Sequence, residues 1–226
     1  MGWSEGLGRR VLGATLAVAA LAVLSLDLSP ALAADGAAIA LHGVGTVPAC
    51  ATCHGAQGQG NPRIGAPHLA GEGIDYLREQ LANFAAGHRI NPIMQPIAAG
   101  LTPEQRDAAA AFFAALPVPA PHPVPPGPDR AGALLAEQGR WSAGLPACTQ
   151  CHGPNGIGVP PYIPRLAGLT APYLTAQLLA WQQGHRPPGA LGLMPVVASK
   201  LSAHDIKTLA AYFAALGGPS SPEAGR

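Results

Sequence analysis

The 226-residue sequence predicts an all-α chain made of two tandem helical domains joined by a Pro-rich linker. Three observations predict it. Short blocks of the first half recur in the second at a nearly constant distance. Between the copies, Pro117 to Pro128 is proline at seven of twelve positions. Apolar residues recur at helical spacing, and nothing reads as a run of alternating strands.

The repeat is legible residue by residue. Pro48-Ala49-Cys50 returns as Pro146-Ala147-Cys148, and Cys53-His54-Gly55 as Cys151-His152-Gly153. Pro67-His68-Leu69-Ala70-Gly71 returns as Pro164-Arg165-Leu166-Ala167-Gly168. Tyr76-Leu77 and Gln80-Leu81 return as Tyr173-Leu174 and Gln177-Leu178, and Gly87-His88-Arg89 as Gly184-His185-Arg186. Phe113-Ala114-Ala115-Leu116 returns as Phe213-Ala214-Ala215-Leu216. The spacing is 98 at the cysteines, 97 at the prolines and 100 in the last block, so each copy is a module that tolerates small insertions. This divides the chain into domains at 35–116 and 129–218, a linker at 117–128 and a tail at 219–226. The linker lacks donors for a helix or sheet and should be extended, reaching up to ~37 Å at ~3.1 Å per residue.

Residues 1–34 read as a cleaved export signal, which places the chain in the periplasm. Arg9 and Arg10 precede an apolar run from Val11 to Leu26, and Ala31-Leu32-Ala33 supplies a small-x-small cleavage pattern. The run is shorter than the ~20 residues of a membrane span. The adjacent arginines leave general and twin-arginine export both open.

Within each copy the helices follow in order. A short one precedes each cysteine pair, around Ala37–His42 and Arg130–Gln138. A second covers Ile74 to Ala86 and Pro172 to Gln183. The last covers Pro103 to Leu116 and Ala203 to Leu216. Thr102 caps the first of these, with Pro103 at the first helical position and Gln105 three residues after the cap. Ser202 with Asp205 is a looser version. Ile206, Leu209, Phe213 and Leu216 line one face.

Composition narrows the function. Charged residues are 11% and the net charge is +1, which argues against a nucleic-acid partner. Aromatics are only 5%, and each copy is small for an independent core, so a large prosthetic group would supply missing volume.

Each copy carries C-x-x-C-H, as Cys50-Ala51-Thr52-Cys53-His54 and Cys148-Thr149-Gln150-Cys151-His152. Two thiols at that spacing can add to the two vinyl groups of a haem, and the next histidine then sits beneath the iron as proximal ligand. This points to two covalently bound haem c groups and uses all four cysteines. A zinc site would need a fourth ligand, and a redox dithiol would expect a βαβ context. The second axial ligand falls to Met94 and Met194, the only methionines beyond Met1 and one repeat apart. A soft thioether favours ferrous iron, so His/Met ligation implies high potential. His88 and His185 also repeat and leave bis-histidine ligation open, although a surface position suits them better. Arg89 and Arg186 are candidates to pair with haem propionates, the alternative being solvated cations at a helix end. His42, His68, His122 and His204 have no repeat partner and read as surface residues.

On these motifs each half resembles a class I cytochrome c domain, and the pair resembles the dihaem cytochrome c4 family. The resemblance implies that Pro67 and Pro164 lend their carbonyls to His54 and His152. It also implies a soluble or loosely membrane-associated periplasmic carrier in a respiratory chain. Such a carrier moves electrons from a quinol–cytochrome c reductase to a haem–copper terminal oxidase. With a methionine for each iron and no spare cysteine, the chain reads as an electron-transfer protein and not an enzyme. The alternatives are a dihaem peroxidase, a thiosulfate-oxidising enzyme, or an electron-entry subunit of an oxidoreductase complex.

Overall fold

The computed structural model describes residues 29–118, 130–189 and 191–216. Most of the expected signal and linker, and all of the expected tail, lie outside the described residues, as does His122. Among the described residues the chain is helical, with isolated bridges but no strand. The first half comprises α1 (Ser29–His42), α2 (Ala51–His54), α3 (Ile74–Ala85), α4 (Met94–Ala99) and α5 (Pro103–Ala115). The second repeats that order as α6 (Arg130–Gln138), α7 (Cys148–His152), α8 (Ala171–Gln182), α9 (Met194–Ser199) and α10 (Ala203–Ala215).

Two features differ from the sequence expectation. α1 starts earlier than residue 37, because the alanine-rich segment before it favours helix strongly enough to carry Gly36 within it. The four short helices α2, α4, α7 and α9 were not expected, since one or two turns are too short to show a period. Pro96 and Pro195 sit in the first turns of α4 and α9, where backbone N–H groups have no intrahelical acceptor to lose.

The two long terminal helices of each half cross closely, and glycine permits it. A Cβ on Gly36 of α1 would collide with the Ala108 carbonyl of α5, and one on Gly132 of α6 with the Thr208 carbonyl of α10. Caps fix the starts of the later helices. The Thr102 hydroxyl accepts from Gln105 N at 3.2 Å, and the Gln105 side chain accepts from Thr102 N at 3.0 Å. Ser202 and Asp205 form the full reciprocal box as well, at 3.1 and 2.8 Å, so the shorter aspartate suffices. Apolar burial centres on Ile39, Leu77 and Phe113 in the first half. In the second it centres on Leu145, Leu174, Ile206, Leu209, Phe213 and Leu216.

Candidate haem sites

Each C-x-x-C-H motif lies on one helical turn, which sets the two cysteines three residues apart on one side and the histidine at its end. Gly55 and Gly153 then stop the helix with φ of 78° and 75°, a conformation a side chain would strain. The chain turns back on itself. Gly60 N donates to His54 O at 2.8 Å, and Leu69 N to Gly58 O at 2.7 Å. The matched bonds in the second half are Gly158 N to His152 O at 2.7 Å and Leu166 N to Gly156 O at 2.8 Å. This loop carries Pro67 and Pro164 over the histidine rings. His54 Nδ1 donates to Pro67 O at 2.8 Å, and His152 Nδ1 to Pro164 O at 2.8 Å.

Those two bonds decide the tautomer. A carbonyl only accepts, so the proton is on Nδ1 and the Nε2 lone pair is available to a metal. Both rings are buried, at 7% and 8% exposure. Burial pushes both histidines below their ordinary value, against the opposing pull of the proline carbonyls, and keeps the rings neutral. Burial also raises the Cys50 thiol and pushes Cys148 up to about 11. None of the four cysteines forms a disulfide. Among the described residues no cluster of three or more His, Cys, Asp or Glu side chains is disposed to hold a metal ion.

In the second half Cys148, Cys151, His152 and Met194 line one mostly apolar cavity of about 400 Å³. A large planar apolar group with two attachment points and two axial donors fits that lining. Met94 and Met194 are each half-buried and each opens a short helix, α4 or α9. Both helices are tied down at the same two carbonyls by unrelated donors. Arg106 of α5 donates to Ala98 O at 3.1 Å and Leu101 O at 2.5 Å. Gln182 of α8 donates to Ala198 O at 2.8 Å and Leu201 O at 2.9 Å. Asn91 adds a side-chain cap at the start of α4, accepting from Met94 N at 2.8 Å.

Arg89 and Arg186 are buried, at 6% and 7% exposure, so neither is a solvated cation. They cross between the halves with near-twofold symmetry. Arg89 donates to Gln80 Oε1 at 2.8 Å in its own half, and to Tyr173 Oη at 3.1 Å and Gln177 Oε1 at 2.6 Å in the other. Arg186 donates to Gln177 Oε1 at 3.0 Å in its own half, and to Tyr76 Oη at 3.1 Å and Gln80 Oε1 at 3.4 Å in the other. Each guanidinium also lies over an aromatic ring of its own half, Phe84 at 4.5 Å and Trp181 at 3.9 Å. Arg186 also lines the second cavity. His88 and His185 are exposed.

Sequence reasoning assigned no role to Tyr76, Gln80, Tyr173 and Gln177, though their recurrence with the arginines at one common spacing of 97 was the available signal. It also misplaced His68, which is not a surface residue. Its side chain is 10% exposed and lies 3.0 Å from Oε1 of the buried Glu72, four residues on.

The family model for cytochrome c matches residues 33–117 and 136–217. A protein of Stutzerimonas stutzeri strain A1501 described as a thiosulfate dehydrogenase electron acceptor is 45% identical over 205 residues, covering 88% of this chain and 94% of that protein. Among solved structures, the thiosulfate dehydrogenase (TsdBA) from Marichromatium purpuratum aligns with TM-score 0.74 and 41% identity. The alignment covers 80% of this chain and only 40% of that one. Reduced recombinant cytochrome c4 from Pseudomonas stutzeri aligns with TM-score 0.69 and 31% identity over 81% of this chain and 97% of that one.

Proposed function

Since the chain belongs to the cytochrome c family, as a c4-like electron-transfer protein with two covalently attached haem c groups, we propose that it is the electron acceptor of a thiosulfate dehydrogenase. The observation that carries this is the 45% identity to a protein of that description across 94% of its length. Oxidation of a sulfur oxyanion releases electrons in pairs, and two one-electron sites in one chain can take one each. The haem iron supplies one-electron exchange between ferrous and ferric states.

The chain's own residues do the rest. Cys50 and Cys53, and Cys148 and Cys151, hold the two groups. His54 and Met94 would hold one iron, and His152 and Met194 the other. Pro67 and Pro164 orient the imidazoles. Arg89 and Arg186 neutralise acidic haem substituents near the interface. Two protein donors to each iron would leave little to rearrange on electron transfer. Exposed apolar residues beside each methionine, Ile93 at 62% and Leu193 at 51%, let a redox partner approach without desolvating charge. Residues 1–34 are an export signal and the chain works in the periplasm. No helix among the described residues is long and apolar enough to cross a membrane.

A second reading rests on the cytochrome c4 likeness. In it the chain carries electrons from a quinol–cytochrome c reductase to a haem–copper terminal oxidase. Rapid mixing separates the two. The ferric protein, mixed with a purified thiosulfate dehydrogenase and thiosulfate, should be reduced at both haems at a rate set by dehydrogenase concentration. Reduction by the quinol–cytochrome c reductase but not by the dehydrogenase would establish the second reading. Reduction by thiosulfate alone would make the chain itself an enzyme.

A further inference from the structure

The two halves are nearly symmetric, but one buried carboxylate breaks the symmetry at the proximal side of the second haem site. Glu72 belongs to the first half and is 7% exposed. Its Oε2 accepts from the backbone N–H of Arg165 in the second half at 3.2 Å. That N–H belongs to the Pro164–Arg165 peptide, whose carbonyl accepts from His152 Nδ1 at 2.8 Å. Carboxylate, peptide and imidazole therefore form one hydrogen-bonded chain across the interface. The other carboxylate oxygen, Oε1, accepts from His68 Nε2 at 3.0 Å. At the position matched to Glu72, the second half carries Leu169, which has no charge to return to the Pro67–His68 peptide.

We propose that Glu72 of the first domain is a positioning residue that lowers the reduction potential of the second domain's haem, acting through the Pro164–Arg165 peptide on His152. This rests on the reading of His152 as an iron ligand. A carboxylate bonded to the N–H end of a peptide pushes electron density toward its carbonyl oxygen, because hydrogen bonds in series polarise one another. The richer carbonyl accepts more strongly from Nδ1–H and makes the imidazole a more basic ligand. A basic ligand and a buried negative charge both favour ferric over ferrous iron. The guanidinium of Arg165 lies close enough to feel Glu72 and partly offsets its charge. Neutralising Glu72 would leave that positive charge less compensated, which moves the potential upward too. The halves are thus unequal in potential by virtue of one residue at their interface, and the effect exists only while the domains are docked.

The test is spectroelectrochemical titration of the holoprotein carrying Glu72→Gln, which keeps an oxygen to accept the Arg165 N–H but removes the charge. A Met94→His background takes the first haem out of the potential range of the second, and Met194→His does the reverse. The second haem should shift toward ferrous by about tenfold at fixed potential, or about 59 mV for a one-electron couple, and the first by less. Glu72→Asp, which retains a carboxylate, should shift it less than Glu72→Gln does. A second-haem change below about threefold, a first-haem change as large, or an aspartate effect equal to that of glutamine overturns the proposal. If Glu72→Gln does not fold, Glu72→Leu, which installs the side chain of the matched Leu169, is read by the same criteria. A wrong ligand assignment looks different and takes the relay with it. In that case the unsubstituted protein lacks a low-spin imidazole signature at the second haem, whereas a failed relay leaves that signature intact and the potential unmoved.

Discussion

Replacing Arg89 with methionine tests whether the crossed arginines hold the two halves together. The guanidinium makes three bonds to side-chain oxygens at 2.6 to 3.1 Å, two of them across the interface. Hydrogen bonds to a charged group contribute ~1.5–3 kcal/mol each, and stacking over Phe84 adds ~0.5–2 kcal/mol. Against this stands the desolvation of a buried cation, several kcal/mol. Its twin limits the damage, because Arg186 already donates to both Gln177 Oε1 and Gln80 Oε1 and can keep those acceptors satisfied. Methionine fills most of the volume. The balance predicts a loss of about 2–4 kcal/mol for Arg89→Met. Arg186→Met should cost a similar amount. The double variant should cost clearly more than the sum, since each single variant keeps the shared acceptors satisfied through the remaining arginine and is relieved of the repulsion between the two cations. Denaturant unfolding of the holoprotein, followed by the haem absorption, measures all three. A single-variant loss below about 0.5 kcal/mol, or strict additivity in the cycle, would refute the reasoning.

Two further predictions concern the iron ligands and acid stability. Met194→Ala should remove the methionine-to-iron charge-transfer band of one haem, halving its intensity, and Met94→Ala should remove the other half. The altered haem should fall in potential as the soft ligand is lost, and an intact band in either variant would sink that ligand assignment. Asp205 is held at about 2, chiefly by its hydrogen bond from Arg140 at 2.8 Å and then by the Ser202 backbone and hydroxyl, against the effect of burial. Its folded value lies below the ~3.9 of an unfolded aspartate, so its contribution is present above that value and is lost as pH falls from ~4 toward ~2. Because the Arg140 side chain is 42% exposed, the contribution is discounted to the order of 1 kcal/mol. The stability gap between the protein and Asp205→Asn, measured by thermal unfolding, should therefore shrink between about pH 7 and about pH 3; an equal gap at both would show that the pair carries no pH dependence.

Much of the architecture was legible in the chain before any coordinates. The three longer helices of each half showed period, caps or both, as at Thr102 and Ser202. The short helices α2, α4, α7 and α9 did not, because a single turn has no period to read. The C-x-x-C-H motifs were equally plain, since the chemistry of attachment requires the cysteines and histidine to be adjacent in sequence. His68 failed because its burial comes from the fold of its loop, which sets its ring 3.0 Å from the buried Glu72 carboxylate.

The sequence by itself determined the duplication, the all-α class and the two covalent haems. Each of these is encoded by residues close along the chain or by direct comparison of its two copies. Only the tertiary structure decided what the copies do to each other. It made buried crossing bridges of Arg89 and Arg186, and it set Glu72 of one half against the peptide that holds His152 in the other. It also anchored α4 and α9 at matched carbonyls through Arg106 in one case and Gln182 in the other, residues that do not correspond in the repeat. The physical reason is common to all three. A buried polar group must find a partner, and which one it finds depends on what the fold brings within about 3 Å, not on distance along the chain.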